Sequence, residues 1–360
     1  MLVLNIVAAL AGAALVIATL ADLFISVVVP RSVGGRFRPS VILLRQGWRL
    51  WRRAAIRIPD QERREDTLGV FAPTLLVTLL TYWVLSEIAG YGLLFWALRS
   101  GLRPEPNVGG AIYFAGASLL TIGFGDVVPM NVATRVLALF AAGGGLATFA
   151  ITTTFLFQTF GAFQRREAFV VTISERTGAP PSGLEFITRH VKLGLMDDVG
   201  AILRESQRWI AEVMETHLAY PVLTYFRSSH DDESWVGTLG AILDACTLLR
   251  TTLDADHRGQ AVITARIGTH LVRDFTAFFN LPSGDAAAVE YDEFVVAYRT
   301  LRELGAPLRP LEDAWPDFQR HRAGYAVQLD AMARWWRIPP ARWIGDRSRI
   351  RAHVNAGVTP

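Results

Sequence analysis

Three long apolar runs, at residues 2–29, 69–98 and 132–161, constrain this chain more than any other feature. A helix needs about 20 mostly apolar residues to cross roughly 30 Å of hydrocarbon, and each run meets that length. All three lie in residues 1–163, whereas residues 164–360 read as an ordinary soluble sequence. The 51% apolar content therefore averages two unlike halves. The first run lacks the positively charged start of a secretory signal, since no Lys or Arg precedes Arg31, and it is too long for one. It is expected to be a retained helix.

Cys246 is the only cysteine. That excludes an intrachain disulfide and a cysteine-built metal site, and it reads as a small buried apolar side chain. The net charge of +3 is mild. No nucleic-acid partner is expected, and the basic residues matter by location. Between the first and second runs stand Arg31, Arg36, Arg38, Arg45, Arg49, Arg52, Arg53, Arg57, Arg63 and Arg64. The next loop carries Arg99 and Arg103 beside Glu105, and Arg165 and Arg166 follow the third run. Positive residues accumulate in cytoplasmic loops. The expected topology in the cell membrane thus has the N-terminus outside, 31–68 inside, 99–110 outside and the C-terminal half in the cytoplasm.

Residues 41–58 form a basic amphipathic pattern. At 100° per residue Arg45, Arg49, Arg52, Arg53 and Arg57 share one arc, while Leu43, Leu44, Trp48, Trp51, Ala55 and Ile58 share the other. An interfacial helix on anionic inner-leaflet lipid is expected, with its tryptophans at headgroup depth. A voltage sensor needs spaced arginines inside a long apolar helix, and this segment is too short and too basic.

Residues 99–110 are rich in Gly and Pro, and 111–120 (AIYFAGASLL) make an apolar segment too short to span. Then come Thr121-Ile122-Gly123-Phe124-Gly125-Asp126 and a third long helix starting near Asn131. A half-length helix returning as extended chain is a re-entrant loop, tolerated at membrane depth only where protein or water satisfies its backbone. Rings of inward carbonyls can replace the water around a potassium ion. Alternating backbone conformations point successive carbonyls one way, and the positive-φ members of the alternation suit glycine, as at Gly123 and Gly125. Carbonyls of Thr121, Ile122, Gly123 and Phe124, with the Thr121 hydroxyl innermost, would supply the rings. The C-terminal end of the short helix would favour a cation.

Over roughly residues 69–163 the sequence resembles the pore-loop potassium channels, whose signature is T-[VI]-G-[YF]-G-D. Its Phe124 is similar to that of the two-pore-domain channels and of a set of bacterial channels. The resemblance implies potassium selectivity and, with one loop per chain, a homotetramer. It also implies that Tyr113, Phe114 and Asp126 brace the filter. Phe124 lacks the hydroxyl that the commoner Tyr uses there, and Ala117 stands where some relatives bury a Glu.

In 132–161, Thr148, Thr152, Phe155 and Thr159 fall on one helical face, expected to line a water-filled cavity, with Phe155 as a constriction. The alternative is that the hydroxyls bond back to carbonyls one turn earlier. By its spacing from the filter Gly145 matches the family's hinge glycine, and close packing would explain Gly143 and Gly144. Glu87, in the outer half of its run, is expected to pair with Arg135 or support the short helix. Asp22 is expected to hydrogen-bond a neighbouring helix or meet an arginine of 31–68.

Residues 176–183 (RTGAPPSG) read as a linker. Apolar periodicity near 184–218, 235–254, 259–280, 287–304 and 311–337 predicts a helical bundle, with breaks at 228–233 and 281–285. No G-x-G-x-x-G follows a strand, so no nucleotide-binding domain is expected. His230 with Asp231, Asp232 and Glu233, and His257 near Asp254 and Asp256, read as solvated loops, with an N-cap at Asp232 or Ser234. No nucleophile–base pattern points to an enzyme, and no cofactor is expected beyond permeant K+.

The expected architecture is an all-α membrane protein. It has an N-terminal transmembrane helix (1–30), a cytoplasmic amphipathic segment (31–68), a pore domain (69–163) and a cytoplasmic helical domain (164–360) open to an unknown ligand. The expected function is passive potassium conduction. The alternatives are a less selective cation channel gated by tension or ligand, and a membrane-anchored signalling protein with a vestigial pore.

Overall fold

The helix α3, Gln61–Ala97, starts where the Asp60 carboxylate accepts from the Arg63 N–H at 2.9 Å. At 1.5 Å per residue its 37 residues reach about 55 Å, longer than the bilayer's hydrocarbon. The computed structural model describes residues 2–29, 39–228, 230, 232–254, 256–281 and 289–344. Arg31, Arg36, Arg38, Asp231 and the break beyond Leu281 lie outside these residues. Among the described residues three helices are long and apolar enough to cross a membrane. They are α1 (Leu2–Val27), α3 and α5 (Val132–Thr177). The chain is an all-α membrane protein in two compact units, residues 1–161 and 162–360.

In the first unit α1 lies against α3 at a pair of glycines. A Cβ at Gly12 would stand 2.6 Å from the Gly90 carbonyl oxygen, so only small residues permit this approach. Helix α2 (Pro39–Ile56) carries the amphipathic pattern but turns its apolar face inward. Trp48 is buried against Phe71, ring centroids 5.1 Å apart, and the Trp51 Nε1–H donates to the Thr67 carbonyl at 2.7 Å. The tryptophans therefore hold α2 to α3. Asp22 joins all three helices: its carboxylate accepts from the Ser40 hydroxyl at 2.7 Å and from the Trp83 Nε1–H at 2.9 Å. The expected helix-to-helix bond is present, and its donors are a serine and a tryptophan.

The short helix α4 (Val108–Leu119) packs on α3 through Phe114 and Phe95, centroids 4.7 Å apart. Ala111 and Ala115 are fully buried. A two-residue antiparallel ribbon, β1 (Leu102–Arg103) with β2 (Val128–Pro129), pairs Leu102 with Pro129 and Arg103 with Val128. It ties the chain entering α4 to the chain leaving the TIGFGD segment.

The last turns of α5 belong to the second unit, which continues through α6 (Gly183–Leu193), α7 (Val199–Ala219) and α8 (Trp235–Thr251). It ends with α9 (Arg258–Phe279), α10 (Tyr291–Glu303), α11 (Leu311–Arg322) and α12 (Ala326–Trp336). The segment 184–218, periodic as one helix, is broken at Gly194, whose φ of 67° closes α6 with a left-handed cap. The segment 311–337 is likewise broken between Arg322 and Ala326. Ser234, not Asp232, caps α8, accepting from the Gly237 N–H at 2.9 Å. Helix α8 is buried almost throughout, and its Asp244 accepts from Arg322 Nε at 2.9 Å and from the Tyr325 hydroxyl at 2.6 Å.

Candidate functional site

Helix α4 begins at Asn107, whose side chain accepts from the Gly110 N–H at 2.8 Å, and ends in a paired hydrogen-bond closure. The Ile122 N–H bonds the Ala117 carbonyl at 2.8 Å, and the Thr121 N–H bonds the Ser118 carbonyl at 3.1 Å. These are the two bonds of a Schellman motif, which needs a left-handed residue just past the cap. That residue is Thr121, with φ of 53°. Glycine usually fills this position, and a β-branched residue there is a backbone outlier.

Thr121 also begins an alternation. Gly123 and Gly125 have φ of 63° and 80°, whereas Ile122 and Phe124 between them keep negative φ. The left-handed member at Thr121 was missed by a reading that assigned positive φ to glycines alone. Its signal is the position one residue beyond the cap of a half-length helix.

Tyr113 stacks on Phe124, centroids 6.5 Å apart and planes 7° from parallel, and its side chain reaches Asp126. Phe114, grouped with Tyr113 by sequence, faces α3 instead, because neighbours on a helix lie 100° apart. Ile122 and Phe124 are exposed, Phe124 by 69%. Apart from the glycine itself and its two chain neighbours, no atom of the described residues lies within 4 Å of a Cβ built on Gly123 or Gly125. On the far side, the Asn131 carboxamide caps α5 by accepting from the Thr134 N–H at 3.0 Å. The Thr134 hydroxyl donates to the Gly101 carbonyl at 3.1 Å, and Met130 N–H to the same oxygen at 2.8 Å.

Helix α5 meets the end of α4 at Gly145, where a Cβ would stand 2.0 Å from the Leu119 carbonyl oxygen. Close packing thus falls on Gly145. A Cβ at Gly144 would stand 3.1 Å from the Tyr91 hydroxyl oxygen, whereas one at Gly143 would meet no described atom of another element within 4 Å. Thr148, Thr152, Phe155 and Thr159 share one face, as their spacing predicts, but that face is buried within the chain. The expected cavity lining is corrected here. The Thr148 hydroxyl donates to Glu87 Oε1 at 2.6 Å, and the Thr152 hydroxyl bonds back to the Thr148 carbonyl at 2.8 Å. The exposed side of α5 carries Leu146, Phe149 and Phe157. Glu87 is fully buried and does not pair with Arg135, whose Nε donates to the Pro129 carbonyl at 3.3 Å.

Among the described residues no group of three or more His, Cys, Asp or Glu could hold a metal. His257 Nε2 instead lies 3.0 Å from the Met196 carbonyl oxygen. In the second unit Arg166 is buried, donating to the Leu223 and Phe226 carbonyls at 2.9 Å each and to Glu167 at 2.8 Å.

Residues 75–162 match a family model described as Ion channel. An uncharacterized membrane protein of Bacillus subtilis (strain 168), YdjJ, is 21% identical over 188 residues, covering 51% of this chain and 54% of that protein. The chain thus spans about half the length of this curated relative. No solved structure matches. With three described helices long and apolar enough to cross a membrane, the chain is an all-α membrane protein whose residues 75–162, running from within α3 to within α5, are similar to an ion-channel domain.

Proposed function

We propose that this chain is one subunit of a homotetrameric, potassium-selective channel that conducts K+ passively through Thr121–Gly125. The alternation of positive φ at Thr121, Gly123 and Gly125 carries this reading. Carbonyls turned successively to one side replace the hydration shell of a cation. The C-terminal end of α4, with its partial negative charge, faces the same path and favours positive charge. Asp126 and Tyr113 brace the outer end.

The uncovered segment supports assembly. Irregular backbone at membrane depth requires protein or enclosed water around it, and one copy leaves Ile122, Gly123, Phe124 and Gly125 bare. Four copies around an axis cover this segment and enclose the ion path. The exposed Leu146, Phe149 and Phe157 then face the axis or a neighbouring copy, in place of Thr148, Thr152, Phe155 and Thr159.

Arginine placement orients the subunit with the N-terminus outside and residues 164–360 in the cytoplasm. Helix α2, which holds no acidic residue, presents Arg45, Arg49, Arg52 and Arg53 toward anionic inner-leaflet lipid, together with Arg57 just past its end. Arg49, Arg53 and Arg57 are exposed beside Ile42, Leu50 and Ile56.

The test is the reversal potential of purified protein in liposomes under opposed Na+ and K+ gradients. A reversal potential near the potassium equilibrium value is expected. A value near zero makes this a less selective cation channel, and the absence of any flux leaves a membrane-anchored protein with a vestigial pore. Either result overturns the proposal. Light scattering in detergent is expected to give four chains per particle.

A further inference from the structure

Glu87 and Thr148 bring together three observations that conduction alone does not use. Glu87 is a fully buried carboxyl in a membrane-spanning helix, where polar groups are costly and functional by default. Oε1 accepts from the Thr148 hydroxyl at 2.6 Å, while Oε2 has no hydrogen-bond partner among the described residues. Thr148 stands three residues beyond Gly145, at which α5 rests on the carbonyl end of α4.

Other polar groups on the surrounding elements are engaged elsewhere. Tyr91, one turn along α3, donates its hydroxyl to the Phe140 carbonyl at 3.3 Å. Asp22, the sole ionisable side chain of α1, bonds Ser40 and Trp83. Tyr113, the sole ionisable side chain of α4, reaches Asp126. From α5 the group facing Glu87 is the Thr148 hydroxyl.

We propose that the Glu87–Thr148 hydrogen bond is a gating latch, fastening α5 to α3 immediately beyond the point where Gly145 lets α5 lean on α4. The inference rests on the channel reading. If α5 moves when the pore opens or closes, the segment beyond Gly145 carries the movement, and this bond holds it in one of the two positions. Glu87 and Thr148 act through the helix as positioning residues and touch no ion.

Single-channel recording in bilayers tests the latch. Thr148→Val removes the donor in the same volume, and Glu87→Leu removes the acceptor. Each is expected to shift the closed–open equilibrium at least fivefold, in the same direction, with the K+/Na+ reversal potential unchanged. The double variant is expected to shift it no further than either single variant. Thr148→Ser and Glu87→Gln, which keep donor and acceptor, are expected to gate as wild type. Unchanged gating in Thr148→Val, or additive effects of the two breaking variants, overturns the latch. Should Glu87→Leu fail to assemble, Thr148→Val against Thr148→Ser decides the question. A wild type that carries no current defeats the channel reading and the latch with it, whereas normal selective current with unmoved Thr148→Val gating defeats the latch alone.

Discussion

Gly145 touches Leu119 so closely that a methyl group at residue 145 would stand 2.0 Å from the Leu119 carbonyl oxygen. The end of the short helix and the body of the long one are thus fixed against each other by the absence of a side chain. Gly145→Ala is expected to displace backbone on one side or the other. We predict loss of ion flux and a lower midpoint of thermal unfolding. Gly143→Ala has no described clash and gains up to about 1 kcal/mol of helix propensity, so its midpoint is expected to equal or exceed wild type. A pair of melting curves followed by size-exclusion chromatography checks both.

Thr121 combines two demands that oppose each other. The Schellman closure of α4 asks for a residue that tolerates φ of 53°, and a β-branched residue there costs on the order of 1–3 kcal/mol. An innermost hydroxyl ligand asks for Thr or Ser. Thr121→Gly is therefore expected to melt no lower than wild type yet lose potassium selectivity. Thr121→Ser is expected to keep it. Reversal potentials of the two variants decide, and full selectivity in Thr121→Gly would remove the hydroxyl from the mechanism.

The parts legible in the sequence are those set by local pattern. Apolar length marked the three spans, and the spacing of Gly123 and Gly125 marked the alternation. The Gly- and Pro-rich stretch marked the approach to α4, which starts at Val108, three residues before the expected segment, because the Asn107 side chain caps it there. Register between helices leaves no such trace. A period of 3.6 places Thr148, Thr152, Phe155 and Thr159 on one face, but which neighbour that face meets depends on helix rotation, and Gly145 sets it. The inward turn of Trp48 and Trp51 depended likewise on Phe71 and Thr67, far along the chain. Thr121 was legible in principle, because its conformation follows from the end of the preceding helix.

Asp22 gathers α1, α2 and α3 on one carboxylate. Asp22→Ala leaves the buried Trp83 N–H without its acceptor and removes one partner of Ser40, at about 1–3 kcal/mol per unsatisfied buried group. A clear fall in thermal midpoint is expected. Asn supplies one oxygen and one amide group. Its oxygen can accept from Trp83 while its N–H donates to the Ser40 oxygen. Asp22→Asn is therefore expected to melt close to wild type, and a fall as large as that of Asp22→Ala would show that the charge itself is needed.

Cys246 is fully buried in α8, and burial pushes its thiol up to about 12. The thiolate is the reactive form. Native protein at neutral pH is therefore expected to resist maleimide, and denatured protein to take up one label per chain. Rapid labelling of the native state would mean that α8 opens on the timescale of the reaction.

His217 gives the second unit a defined response to acid. Its Nε2 lies 3.1 Å from Arg166 Nη1, which can only donate, so Nε2 accepts. Burial, with the Arg166 charge beside it, pushes the imidazole well below its ordinary range, and burial lowers His190 as well. Between the depressed folded values and the unfolded value of about 6.5, the unfolded chain binds more protons than the native one. Stability is then fully present above about pH 6.5 and declines as pH falls. His217→Gln keeps an acceptor for Arg166 and removes the titration. Thermal midpoints of the full chain between about pH 5 and 8, read by tryptophan fluorescence, are expected to fall less steeply on the acid side in His217→Gln than in wild type. Identical slopes would assign the acid sensitivity to other groups.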